Sequence, residues 1–146
     1  MYITLHMDKY STFDVARLFH IDRTRLHEWL KGGYVTPCRL AHGKGTRTEF
    51  TREDLYRLQL FIRLLHAFRN RTIAKEFSNV DFHHVGPEKD MMKYGRWEFS
   101  FTGDAPLGKG ELLKETPSVR PLGDGQVVVV IDLASVKADV DRRLAE

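Results

Sequence analysis

The chain has few of the features that define secreted, membrane-spanning or disulfide-bonded proteins. Its 146 residues include a single cysteine, Cys38, which excludes an internal disulfide and is a poor basis for a structural zinc site. No apolar run approaches the roughly 18 residues that cross a bilayer, and the start of the chain lacks the order of a secretory signal. These absences predict a cytoplasmic protein that makes no contact with a membrane.

Chemical motifs of enzymes are also missing. No nucleophile motif, phosphate-cradling glycine pattern or paired-carboxylate signature stands out, so neither an enzyme nor a bound cofactor is predicted. Adjacent His83 and His84 could be imagined as metal ligands together with His66 or His42. Without a matching cysteine or carboxylate pattern they are more typical of a solvated loop, and no metal is predicted.

Positive charge is concentrated in the first half of the chain. Residues 1–75 hold 14 basic and 7 acidic residues, a net charge of +7, whereas residues 76–146 hold 9 and 13, a net charge of −4. A concentrated positive field attracts polyanions and fits DNA, RNA or an acidic protein. The hydrophobic share of 42% is enough for a folded core.

Two short helices joined by a tight turn are predicted near the start of the chain. Ser11 or Thr12 can cap the first helix, and Asp22 can cap a second helix from Arg23 to Lys31. Gly32-Gly33 then supplies a left-handed stop. This is the helix-turn-helix pattern, in which the second helix keeps one face apolar while the opposite face reads a DNA groove.

The outward face of the second helix is polar and mainly basic. Apart from the carboxylate of Glu28, its side chains can donate to phosphates and to the acceptor edges of guanine or adenine, although an ordinary amphipathic surface helix would look partly similar. The candidate contacts on this helix are Arg23, Thr24, Arg25, His27, Glu28 and Lys31.

A β-hairpin is predicted next, with strands at 34–40 and 46–50 around a glycine-rich loop. As a wing it would place His42, Lys44 and Arg47 against DNA, and the alternative is a solvated hairpin. Thr51 with Asp54 then opens a helix through about Phe68, and Thr72 starts a last short helix through Phe77 after a break at Asn70-Arg71.

At this point the order of the residues resembles the MerR-type transcription regulators over about residues 10–79. The resemblance rests on the opening helix, the recognition helix with the first wing strand, and the junction from the wing to the next helix. The matching positions are Tyr10, Ser11, Thr12, Val15, Ala16, Arg17 and Leu18, then Leu26, Trp29, Gly33, Val35, Pro37 and Arg39, then Gly45, Arg47, Phe50, Thr51, Asp54 and Leu55.

The resemblance implies that the helix carrying Thr24 and Arg25 enters the major groove and that Arg17 and Arg47 contact phosphates. Two departures stand out. The family often has arginine and an aromatic residue where this chain has His27 and Glu28. No long leucine-rich dimerisation helix follows residue 79, and no cysteine cluster is present to sense a metal.

The second half is predicted to form a smaller module of strands and one helix. Strands are expected at 97–101 and 126–131, and little regular structure is expected between 103 and 125 beyond a short piece near Leu112-Leu113. Asp132 caps a helix through Leu144. Its apolar stripe is expected to pack on the first module or to form a dimer, and consists of Leu133, Val136, Val140 and Leu144.

Together these patterns predict a mainly α protein with a small β component, of the α+β class. A winged helix-turn-helix domain at 1–79 precedes a strand and helix module at 80–146. The predicted function is a homodimeric, sequence-specific regulator of transcription that binds double-stranded DNA, with no effector specified. The alternatives are an excisionase-like or architectural DNA-binding protein, and a protein-interaction adaptor using Trp97, Phe99 and the C-terminal helix.

Overall fold

The structure is a computed structural model that describes residues 8–82, 94–102, 105–113 and 126–146. It is mainly helical with two small antiparallel sheets, which confirms the predicted α+β class. The chain divides into two compact units. The first contains the residues up to Val80 together with Val140–Glu146, and the second contains Asp81–Asp139.

The first unit is built from four helices and a two-stranded sheet before residue 80. Its elements are β1 (Tyr10–Ser11), α1 (Thr12–Phe19), α2 (Arg23–Lys31), β2 (Glu49–Phe50), α3 (Arg52–Phe68) and α4 (Arg71–Ser78).

Local capping sets where these helices begin. The side chain of Ser11 accepts from the amide of Asp14 and forms a capping box with it, and Thr51 forms the same box with Asp54. Asp22 accepts from the amide of Thr24 at 2.8 Å and starts α2. These starts were all predicted. The last helix was placed slightly wrong, because Asn70 caps it and the helix therefore begins at Arg71.

The core of the first unit fixes α2 against α3. The rings of Trp29 and Phe61 meet edge to face with centroids 5.1 Å apart, a favourable arrangement for two buried aromatic side chains. Leu26 and Leu58 are also fully buried. Gly33, at φ 72°, takes the left-handed conformation expected after α2. Because one face of α2 is buried in this core, the side chains on its opposite face are exposed to solvent.

The predicted β-hairpin is largely wrong. Residues 34–40 form no strand, and only an isolated bridge joins Arg39 to Glu49. Instead, β2 pairs antiparallel with β1, with Phe50 opposite Tyr10. Pro37 has no amide hydrogen, and the amide of Cys38 donates to the buried Asp54 carboxylate, so neither can extend a strand ladder.

The second unit contains a three-stranded antiparallel sheet in the order β4-β3-β5. Its strands are β3 (Tyr94–Thr102), β4 (Ala105–Leu113) and β5 (Gln126–Ile131), and helix α5 (Leu133–Ala145) follows them.

β4 corrects the expectation that residues 103–125 are mostly irregular. It pairs with β3 along its full length, from Ala105 opposite Thr102 to Leu113 opposite Tyr94. Pro106 is tolerated because β4 lies at an edge of the described sheet, where a missing amide hydrogen need not break the ladder. The glycine and proline residues of this segment indicate a loop, but pairing with β3 makes it a strand.

α5 begins as predicted, with the amide of Ser135 donating to Asp132 at 3.1 Å. Leu133, Val136 and Val140 are fully buried within the single chain, and Leu144 is partly exposed. Dimerisation through this stripe stays a prediction. A dimer built on it would require the helix to leave its intramolecular position, as in domain swapping.

The end of α5 is part of the first unit, and we call residues 140–146 the C-terminal clasp. Nη1 of Arg143 donates to the carbonyl oxygen of Leu18 at 3.1 Å, and its guanidinium lies 5.8 Å from the ring centroid of Phe19. The hydroxyl of Tyr56 donates to Asp141 at 2.6 Å. Burial and this hydrogen bond raise the pKa of Tyr56, so the hydroxyl keeps its proton and remains a donor well above neutral pH.

Candidate nucleic-acid interface

All of the side chains predicted to touch DNA are exposed in the structure. They lie in the first unit, on α1, on α2 and in the loop 40–48, which we call the wing loop. The exposed residues are Arg17, Arg23, Thr24, Arg25, His27, Glu28, Lys31, His42, Lys44 and Arg47.

Two of the arginines on α2 rest on aromatic rings. The guanidinium carbon of Arg23 lies 5.9 Å from the ring centroid of Phe13, and that of Arg25 lies 5.2 Å from the ring centroid of Trp29. Cation–π contacts of this kind restrict the long side chains without using their N–H donors. The donors therefore remain free to bind phosphate or a guanine edge.

A cationic corner that sequence reasoning missed adjoins α2. Arg25 and Glu28 line a cavity of about 460 Å³ together with His66 near the end of α3, Arg69 and Arg71. The guanidinium of Arg71 also lies 5.3 Å from the ring centroid of Tyr34. The sequence signal for this corner is the pair of arginines, Arg69 and Arg71, at the break predicted between the last two helices of the domain.

Glu28 is the one acidic residue on the outward face of α2. It lines the same cavity as Arg25 and Arg69, yet it forms no ion pair within 4.0 Å with another residue of the described part of the chain. Its carboxylate is therefore available to accept a hydrogen bond from outside the chain.

Hydrogen bonds within the wing loop define its shape. The amide of His42 donates to the Thr46 hydroxyl at 2.8 Å, and that hydroxyl donates to the carbonyl oxygen of Gly43 at 2.9 Å. Gly43 and Gly45 have φ of 106° and 84°, which other residues rarely adopt. The loop therefore presents Lys44 at its tip.

The base of the wing loop is tied to α3. Asp54 accepts from the amide of Cys38 at 2.9 Å, and the Cys38 thiol donates to the carbonyl oxygen of Glu49 at 3.2 Å. Burial, reinforced by the charge of Asp54, raises the pKa of Cys38, so the sulfur stays protonated and suited to this structural contact. The two bonds fix the backbone at the base of the wing loop against the start of α3.

Residues 10–75 match the family model described as MerR HTH family regulatory protein. Residues 10–75 therefore form a MerR-type helix-turn-helix DNA-binding domain. The matched span is slightly less than half of the chain, and it contains α1, α2, the wing loop and α3. The MerR domain makes this chain a DNA-binding protein of the transcription-regulator class. A search of curated proteins finds no match.

The remaining expectations concern membranes and metals. Among the described residues, no helix combines the length and apolarity needed to cross a membrane. Within the same residues, no group of three or more His, Cys, Asp or Glu side chains is placed to hold a metal ion. His83 and His84 lie outside the described residues.

Arg69 offers a test that separates backbone strain from DNA contact. It caps α3 at φ 55°, a left-handed conformation that costs a residue with a β-carbon about 1 kcal/mol or more relative to glycine. We expect Arg69→Gly to raise the free energy of unfolding by about 1 kcal/mol while lowering affinity for duplex DNA. Urea unfolding and fluorescence anisotropy measure the two quantities.

Arg69→Ala is the matched control, because it removes the charge and keeps the strained conformation. It should lose the same DNA affinity as Arg69→Gly without gaining stability. Equal unfolding midpoints for the two variants would contradict the role of strain, and unchanged DNA affinity would contradict the role of charge.

Proposed function

We propose that this protein is a sequence-specific regulator of transcription that inserts α2 into the major groove of double-stranded DNA. The observation that carries the proposal is the division of α2 into two faces. Leu26 and Trp29 are buried, while the opposite side exposes donors beside the cationic corner at Arg69 and Arg71. This is the arrangement that a recognition helix needs.

The proposed contacts fall into two classes. On α2, Arg23, Thr24, Arg25, His27 and Lys31 would donate to bases or phosphates, and Glu28 would accept from a cytosine amino group. Contacts to the sugar-phosphate backbone would come from the surrounding elements, namely Arg17, His42, Lys44, Arg47, Arg69 and Arg71.

Selection of bound duplexes from a random pool tests this function directly. A specific regulator should enrich a single motif, and binding should weaken steeply as salt rises. Enrichment without any motif would contradict sequence-specific recognition. Failure to bind any duplex at low salt would instead favour the protein-interaction adaptor.

Arg25→Ala should relax discrimination between the selected duplex and its variants. Stacked on Trp29, Arg25 presents its N–H donors at a fixed place, and losing one bidentate base contact costs about 1 to 3 kcal/mol at a single base pair. Competition binding against single-base variants measures this loss. A uniform loss of affinity at every position would assign Arg25 to the backbone instead.

Arg47→Ala should weaken binding to all duplexes alike. Because this exposed side chain follows the wing loop tip, its expected partner is a phosphate, and its removal should reduce the slope of log affinity against log salt by about 1. Arg25→Ala is the comparison variant. A sequence-dependent effect of Arg47→Ala would place its contact in a groove.

We further propose that the protein acts as a cytoplasmic homodimer on a palindromic site whose half-sites lie about one helical turn apart. Sedimentation on the selected duplex tests the stoichiometry. A monomer at micromolar concentration in solution, with one copy per selected site, would contradict the dimer.

One observation favours the architectural alternative. Three side chains of the predicted dimerisation stripe, Leu133, Val136 and Val140, are buried inside the single chain and are not presented to a second copy. A monomeric protein that bends DNA needs no such surface. Circularly permuted duplexes would reveal bending as a position-dependent mobility, and uniform mobility would count against this role.

A further inference from the structure

Phe13 is an exposed aromatic side chain with no place in the core. Phe13 is 56% exposed. Among the described residues, the other large hydrophobic side chain that is exposed is Leu40 of the wing loop, at 48%. The buried face of α1 is supplied by Val15, Ala16 and Phe19 instead. Packing of the first unit therefore gives no reason for a phenylalanine at this position.

The position of the ring is specific. Phe13 is the second residue of α1, and its ring centroid lies 5.9 Å from the guanidinium carbon of Arg23, the first residue of α2. The amino-terminal residues of a recognition helix are those that commonly contact base edges. An apolar ring and a guanidinium thus stand side by side at the end of α2 where bases are expected.

The major groove offers one apolar group that suits such a ring. Guanine presents two acceptors to an arginine, whereas thymine presents its 5-methyl group, which phenylalanine contacts favourably. Successive bases on one strand are about 3.4 Å apart, so 5.9 Å between ring and guanidinium spans less than two base steps. One pair of side chains can therefore reach a guanine and a nearby thymine.

We propose that Phe13 is a specificity-determining residue that contacts a thymine 5-methyl group within two base steps of the base bound by Arg23. This inference rests on the proposed function, because it requires α2 in the major groove. Arg23 orients the ring through the cation–π contact, and the ring excludes water from the methyl group.

Replacing thymine by deoxyuridine tests the contact, because it removes only the methyl group. Each thymine of the selected duplex is replaced in turn, and affinity is measured for the parent, Phe13→Ala and Phe13→Leu. Leu40→Ala is the matched control, since it removes the other exposed large hydrophobic side chain. Circular dichroism checks that each variant is folded.

In the parent, one deoxyuridine substitution should lower affinity about fourfold, as expected for one buried methyl group. Phe13→Ala should lose a similar factor on the thymine duplex and show no further loss with deoxyuridine, whereas Leu40→Ala should keep the full methyl sensitivity. Phe13→Leu should retain part of it.

Three outcomes would overturn the proposal. These are a parent that is indifferent to every substitution, a Phe13→Ala variant that remains fully sensitive, and a sensitive thymine more than two base steps from the base pair at which Arg23→Ala loses discrimination. If the parent binds no duplex at all, the proposed function itself fails, and that result is distinguishable from these three.

Discussion

Asp54→Ala is expected to lower the free energy of unfolding by about 3 kcal/mol and to weaken DNA binding at the same time. Asp54 is only 7% exposed, and one oxygen accepts from the amides of Cys38 and Thr51 at 2.9 and 2.8 Å. Its other oxygen accepts from Nη1 of Arg57 at 3.2 Å. Alanine would leave these donors without their partner and release the base of the wing loop from α3.

Urea unfolding and binding to the selected duplex measure the two effects. Glu53→Ala is the matched control, because Glu53 also pairs with Arg57, at 3.4 Å, but lies outside the capping box. The control should lower the free energy of unfolding by less than Asp54→Ala does, because it leaves the capping box and the bond to the Cys38 amide in place. Equal losses for the two variants would show that the pairing with Arg57, and not the anchoring of the wing loop, sets the contribution of Asp54.

Truncation after Asp139 is expected to cost the first unit about 3 to 5 kcal/mol, because it removes the C-terminal clasp. Burial of Val140 contributes about 1.5 to 3 kcal/mol, and the hydrogen bond from Tyr56 and the stacking of Arg143 on Phe19 contribute about 1 kcal/mol each. Hydrogen exchange should become faster at the end of α1 and at the start of α3.

Truncation after Ala145 is the control, since it removes only the exposed Glu146. A double-mutant cycle between Tyr56→Phe and Asp141→Ala should give a coupling of about 1 kcal/mol, modest because Asp141 is partly exposed. Unchanged exchange in α1 and α3 after removal of the clasp would contradict its role in the first unit.

The features predicted correctly from sequence are those encoded within a few residues. Ser11, Asp22 and Thr51 begin helices because their side chains accept from amides two or three residues ahead. The apolar spacing of α2 likewise fixed its buried face, and therefore the outward residues. The same local pattern and the MerR resemblance predict the candidate interface on α2, which stays a prediction.

The features that were missed depend on distant partners. The amide of Cys38 donates to Asp54 and therefore cannot take part in strand pairing. β4, which pairs with β3, is a segment whose glycine and proline content indicates a loop. Tyr56 and Asp141 are 85 residues apart, and no local signal marks a hydrogen bond of that span. Arg69 and Arg71 line a cavity with Arg25 and Glu28 of α2, and no local pattern in the sequence marks that proximity.

During synthesis, the first unit cannot fold completely until the ribosome has made the C-terminal clasp. About 60 residues separate Val80 from Val140, so at roughly 5 to 20 residues per second the ribosome needs about 3 to 12 seconds to supply the last piece. Until then Tyr56 and Phe19 lack their partners Asp141 and Arg143. A nascent chain that stalls before Val140 therefore carries α2 in a first unit that lacks the C-terminal clasp.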